Sequence, residues 1–244
     1  MNYSETVLVS EQQVREDLAA LYRLVAHFRM TDLIDTHISA RVPGPENHFL
    51  INRYGVLFEE MTPADLVRVD AAGAIVEDGD PDYLRVNAAG FIIHSAIHNA
   101  RHDLACVIHT HTADGIAVSA QKSGLLPISQ HALRFYNRLG YHDYEGIALS
   151  EAERLRLVAD LGEHDAMILR NHGLLAGGRS IAEAFMNIFF LERACQAQIK
   201  AQAGGQALTI PSEEVCERTA MQFRRPDSPR INLLAWQSAL RLLK

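Results

Sequence analysis

Twelve histidines stand against a single tryptophan in this chain. Histidine is the commonest metal ligand and the usual proton carrier near neutral pH. Its distribution therefore shows where chemistry belongs, and the cluster runs from His94 to His172. The strongest local pattern is Val107-Ile108-His109-Thr110-His111-Thr112. Residues i and i+2 of a strand point to one face, so His109 and His111 form a ready pair of metal ligands. They lie where a strand gives way to a helix, the edge at which α/β proteins place their sites. The blander reading is two hydrogen-bonded histidines at a strand end. A second pattern is Ile168-Leu169-Arg170-Asn171-His172-Gly173-Leu174-Leu175. It sets a histidine in a tight turn between two apolar strands, where Gly173 permits a backbone conformation that a Cβ would resist. His172 supplies a third ligand. Three histidines with an open position make the catalytic rather than the structural zinc pattern. The spacing matches no zinc finger, HExxH helix or zinc deaminase.

The other histidines divide less sharply. His94, His98 and His102 recur every four residues on one helix. His98 and His102 read as a solvated face, while His94 is placed to face the metal region. His131, in Ile128-Ser129-Gln130-His131 after Pro127, is a candidate acid or base. His27, His48, His142 and His164 have no partner pattern and read as structural. Arg224-Arg225 reads as a solvated charge pair rather than an anion site. GxSxG, Walker A and GxGxxG motifs are absent, which lowers serine hydrolase, P-loop and Rossmann readings.

These residues need elements to position them. Ser10 with Gln13 makes a capping-box pattern, followed by apolar residues at helical spacing from Val14 to Phe28. Residues 36–42 alternate as a strand, with Ile38, Ala40 and Val42 on one face and His37, Ser39 and Arg41 on the other. Residues 48–52 and 56–58 read as strands, Thr62-Pro63 starts a short helix, and 66–70 with 74–77 suggest a hairpin. The second half alternates. A helix spans 88–101, a strand 104–109 and a helix 112–121. Ser150 with Glu153 caps a helix to about 161, and strands follow at 166–170 and 174–176. Ser180 with Glu183 caps a long helix ending at Gly204-Gly205, and helices near 212–223 and 231–243 finish the chain. Closely spaced strands followed by alternating strands and helices imply one mixed sheet covered by helices on both faces.

Bulk properties exclude several classes. The chain has 244 residues, enough for one large domain without metal or disulfide support. A net charge of −7 argues against a nucleic-acid binder. No apolar run approaches the length of a membrane span, and the N-terminal residues show no signal-peptide pattern. Cys106, Cys195 and Cys216, with no CxxC spacing, suggest packed thiols in a reducing, cytoplasmic compartment.

Taken in order, further motifs carry a resemblance. They are Asp35-Thr36-His37-Ile38-Ser39-Ala40-Arg41, Asn87-Ala88-Ala89-Gly90-Phe91, His94-Ser95-Ala96-Ile97-His98 and Gly124-Leu125-Leu126-Pro127-Ile128-Ser129, beside the two histidine patterns. Over about 18–205 the chain resembles class II aldolases, and more closely the adducin head domain and its bacterial relatives. The resemblance implies a three-layer α/β/α sandwich with a central mixed, largely antiparallel sheet. It also implies one domain over 1–244, with C-terminal helices from about 206. A divalent metal, usually zinc, would be held by His109, His111 and His172, although three histidines also suit iron or manganese. Many members are homotetramers with active sites between subunits.

The departures bear on activity. Where sugar-phosphate aldolases typically carry Ser-Ser-Glu, this chain has Ala88-Ala89-Gly90. Two phosphate-binding hydroxyls and the acid–base carboxylate are missing together. The phosphate-binding asparagine corresponds to His37, and an interface tyrosine falls near His131. Two readings follow. One is a metal-dependent lyase, for aldol cleavage or decarboxylation of a small non-phosphorylated oxygenated substrate, with His94 or His131 replacing the glutamate. The other is a non-catalytic, adducin-like oligomeric scaffold with a structural or vestigial metal. Neither reading involves nucleic acid or membrane.

Overall fold

The structure, a computed structural model, describes residues 9–44, 46–80, 83–146 and 151–244. Its centre is a seven-stranded sheet. The strands are β1 (His37–Arg41), β2 (Phe49–Asn52), β3 (Leu66–Val69), β4 (Cys106–Thr110), β5 (Gly140–His142), β6 (Ala166–Leu169) and β7 (Gly173–Gly178). They lie in the order β3-β2-β1-β4-β7-β6-β5. Every neighbouring pair is antiparallel except β5 with β6. The sheet is thus mixed and largely antiparallel, as expected.

Helices cover both faces. Those up to the last long one are α1 (Glu11–His27), α2 (Ala88–Ala100), α3 (Ala113–Ser119), α4 (Gln130–Leu133), α5 (Glu151–Leu161) and α6 (Ile181–Gln202). On one face α1, α3 and α6 pack over Ile38, Ala40, Ile108, Ile168 and Leu174. On the other, α2 and α5 cover Val107, Met167, Leu169 and Leu175. Beyond them α7 (Glu213–Gln222) packs on α4, and α8 (Ser228–Ala239) on α6. Among the described residues no helix is long and apolar enough to cross a membrane. The three cysteines are free and buried.

Most helix starts follow the local code. Ser10 accepts from the Gln13 amide and Ser180 from the Glu183 amide, each satisfying an amide that the helix itself cannot. The Ser150 cap falls outside the described residues. Some expectations fail. Residues 56–58 form no strand, and Phe58–Glu60 is a 3₁₀ turn instead. Thr62 and Pro63 do start a short helix as read, the 3₁₀ turn Pro63–Asp65. The second arm of the hairpin shrinks to one bridge, Val69 to Ile75. Strand β5 and helix α4 were not expected, since three or four residues show no period. Strand β1 alternates as read, but both faces are covered, so His37 and Ser39 are buried beneath α2.

Tyr22 ties the first helix to the sheet. Strands β1 and β2 pair Ser39 with Ile51, so the register would next set Ile38 opposite Asn52. The Tyr22 hydroxyl stands between them. It accepts from the amides of Ile38 at 2.8 Å and Asn52 at 3.2 Å. It also lies against the Ile38 carbonyl and, at 2.8 Å, Asn52 Oδ1, one of which takes its single proton. All these groups are buried, so none has water as a substitute. Tyr22→Phe should therefore cost ~1–3 kcal/mol in chemical denaturation. A loss under ~0.5 kcal/mol, the scale of a neutral surface change, would show that the ladder closes without the hydroxyl.

Candidate metal centre

The three imidazoles converge at one end of the sheet. His109 is the penultimate residue of β4, and His111 follows two positions on, just before Thr112 caps α3 by accepting from the Gly115 amide. His172 lies in the turn from β6 to β7. Asn171, not Gly173, takes the left-handed conformation there, with φ of 57°. Gly173 is needed for a different reason. A Cβ on it would sit 2.4 Å from the Thr110 carbonyl oxygen, so only glycine lets β7 approach β4 this closely. His111 Nε2 then lies 2.8 Å from His109 Nε2 and 2.9 Å from His172 Nε2.

The other ring nitrogens decide what these contacts are. His109 Nδ1 donates to the Leu174 carbonyl at 3.0 Å. His111 Nδ1 donates to Asp32 Oδ2 at 3.1 Å. A neutral imidazole carries one N–H, so both Nε2 atoms present lone pairs to each other. Close lone pairs repel unless a cation lies among them. The donor set thus fits a divalent ion, with Leu174 and Asp32 as the outer groups that orient its ligands. Asp32 had no sequence signal, because it joins the site only through the fold.

Beside the triad lies a buried row of imidazoles. Strand pairing sets His37 directly opposite His109, with ring centroids 5.3 Å apart. His37 in turn meets His94 edge to face at 4.4 Å. The Ser39 hydroxyl bridges His94 Nδ1 at 2.6 Å and His98 Nε2 at 2.7 Å. His98 then stacks on Phe49. The expected solvated position of His98 is corrected: α2 turns this stripe onto β1, and His98 is fully buried. His102, past the end of α2, is exposed as read. His94 sits behind His37 rather than against the triad. His131 is exposed on α4 with its ring near Phe190, and it has no hydrogen bond or ring contact with the triad of its own chain.

His37 and Gly90 share one space. A Cβ on Gly90 would fall 1.6 Å from His37 Cδ2 and 2.0 Å from its Nε2. The ring therefore occupies the start of the path that a side chain at position 90 would take. The clue in the sequence was that the resemblance implies a change at both positions. Gly90→Ala should cost ~1–3 kcal/mol as an overpacking change. It should cost much less once His37→Ala has emptied the space. Equal costs in both backgrounds, read from denaturation midpoints, would show that the ring is not the obstacle.

Burial, reinforced by neighbouring imidazoles, holds His37, His94 and His109 well below the ordinary histidine range. Burial also takes His98 to about 3, with the Arg41 charge contributing. His172 falls to about 4 through burial, then His111 and His142. These rings are neutral at pH 7, as ligands must be. The unfolded chain takes up protons below an ordinary pKa of ~6.5, whereas the folded chain resists. Stability of the metal-free protein should be full above that value and fall as pH drops from 6.5 toward 4. A denaturation midpoint flat across that window would overturn the assignment of neutral buried rings.

The model for the class II aldolase and adducin N-terminal domain matches residues 16–199. An aldolase II superfamily protein from Pseudomonas syringae has 56% identity, covering 96% of this chain and 93% of that one, with a TM-score of 0.89. The L-fuculose 1-phosphate aldolase of Glaciozyma antarctica PI12 superposes with a TM-score of 0.86 at 27% identity, over 100% of this chain and 93% of its own. Alpha-adducin of Rattus norvegicus is 46% identical over 198 residues, 80% of this chain but 27% of adducin. Matched over most of its length in sequence and in fold, the chain belongs to the class II aldolase and adducin N-terminal domain family.

Proposed function

We propose that this protein is a metal-dependent lyase acting on a small, non-phosphorylated oxygenated substrate by aldol cleavage or decarboxylation. The observation that supports it most is the convergence of three histidine Nε2 atoms, two of them turned with their lone pairs inward by hydrogen bonds on the far side of the ring. His109, His111 and His172 would hold zinc, or iron or manganese with the same donors. Such an ion would supply Lewis-acid stabilisation for negative charge on a substrate oxygen.

The chain's own residues supply the rest. Asp32 and the Leu174 carbonyl keep two ligand rings in place. Ala88, Ala89 and Gly90 offer neither hydroxyl nor carboxylate, which favours a substrate without a phosphate. Proton movement falls to imidazoles. His94, held by Ser39, acts through His37, the ring that lies beside both it and His109. His131 is exposed and away from its own triad, so its place is at the site of a neighbouring copy. That suits a homotetramer with shared sites, and the buried free thiols suit a cytoplasmic protein. A second reading has one specific support. The His37 ring fills space that a catalytic side chain at position 90 would use, as suits a scaffold whose metal is structural.

Metal content comes first. Protein prepared without chelator or histidine tag should carry about one zinc or iron per chain, lost in His109→Ala and His172→Ala. Turnover of hydroxy- or keto-acids should disappear on chelation and return with metal. His131→Ala should lower kcat by ~10²–10⁴. Activity indifferent to chelation would sink the enzyme reading. Metal that raises stability with no turnover would favour the scaffold.

A further inference from the structure

A cavity of about 510 Å³ opens at the other end of β6 from the triad. Asp165 and Ala166, at the start of β6, line it, whereas His172 follows the strand's far end. Four strand residues separate the two regions, on the order of 13 Å. Five arginines line the cavity, against two carboxylates, Asp165 and Glu183.

The arginines are not equivalent. Arg138 pairs with Glu217 and Arg225 with Asp227, acids that do not line the cavity. Arg179 reaches Asp165 at 3.5 Å and Glu183 at 3.6 Å. Arg224 shares Asp165 at 3.4 Å. Arg134 has no such partner: among the described residues no carboxylate lies within ion-pair distance of it. Its Nε and Nη2 both donate to a neutral acceptor, Asn187 Oδ1, at 3.2 and 2.8 Å. Asn187 cannot turn away, because its Nδ2 donates to the Gly177 carbonyl at 2.8 Å. The Arg134 guanidinium is further held near the rings of Phe190 and Phe223, at 5.1 and 5.4 Å. Its Nη1 makes no hydrogen bond among the described residues. Asn232, also buried and lining the cavity, has a side chain without a hydrogen-bond partner among the described residues.

Glu183 and Asp165 act on the Arg134 guanidinium only from beyond ion-pair distance, so its free donor edge gains when an anion meets it directly. The cavity volume is that of a small-molecule site rather than of a single inorganic ion. Phe223 and Pro229 give it apolar walls beside the cations. We propose that this cavity binds a small organic anion, whose carboxylate or phosphate group meets Arg134 and Arg224 while Asn232 contacts its polar remainder. Arg224 and Arg225 are both exposed, as expected of a solvated pair, yet both lie at the edge of the cavity. The turn after α7 folds the Arg224 side chain back over the start of β6.

The test is calorimetric titration of the full chain with citrate, phenyl phosphate and inorganic phosphate, at one ionic strength set by chloride. Saturable binding of citrate or phenyl phosphate is expected, at least tenfold weaker in Arg134→Gln and unchanged in His109→Ala. Preference between the two probes separates a carboxylate ligand from a phosphate ester. Should Arg134→Gln not fold, Arg224→Gln and Asn232→Ala decide in the same way. Absence of saturable binding by any probe overturns the site. So does binding that these variants leave intact, or binding of inorganic phosphate alone.

Discussion

Two imidazoles that have each given their only proton to a neighbour can offer each other nothing but lone pairs. At 2.8 Å that contact is repulsive, and His109 and His111 are in that position. A cation among the three Nε2 atoms would turn the repulsion into coordination. Much of the surrounding structure serves this convergence. Strand β4 presents two histidines at period 2, the Asn171 turn brings the third, and Gly173 allows the two strand ends to close. The Leu174 carbonyl and Asp32 then fix which nitrogen of each ring faces inward.

Next to this point the sheet carries a second device, built from the same residue type for a different end. His37, His94, Ser39 and His98 form a continuous buried row from the triad to Phe49. Burial keeps these rings uncharged, so the row costs less than a line of cations would in the same place. The row also explains the glycine in α2. Gly90 is not a hinge and takes no positive φ; its missing side chain is the space in which His37 sits. Positions 37 and 90, distant in sequence, thus meet in one packing event.

Local codes were legible where the physics is local. The serine caps of α1 and α6 act within one helical turn, and the alternation of β1 reports which side chains share a face. The pairing of His109 with His111 needs only the pleat of a single strand. Prediction failed where the deciding partner lies elsewhere in the chain. His98 has the spacing of a helix stripe, but spacing does not say which stripe faces the sheet. Gly173 looked like a turn residue, whereas the Thr110 carbonyl, 63 positions earlier, sets its requirement.

By itself the sequence determined the histidines of the candidate metal centre, the mixed sheet with helices on two faces, and the absence of a carboxylate at position 90. Those depend on residue identity and short-range period. Only the tertiary structure decided that His37 opposes His109, that Asp32 supports His111, and that Arg134 has no carboxylate within ion-pair distance among the described residues. Each of these is a contact across a sheet register or between packed layers, and registers and layers are set by the burial of many apolar residues together rather than by any one segment.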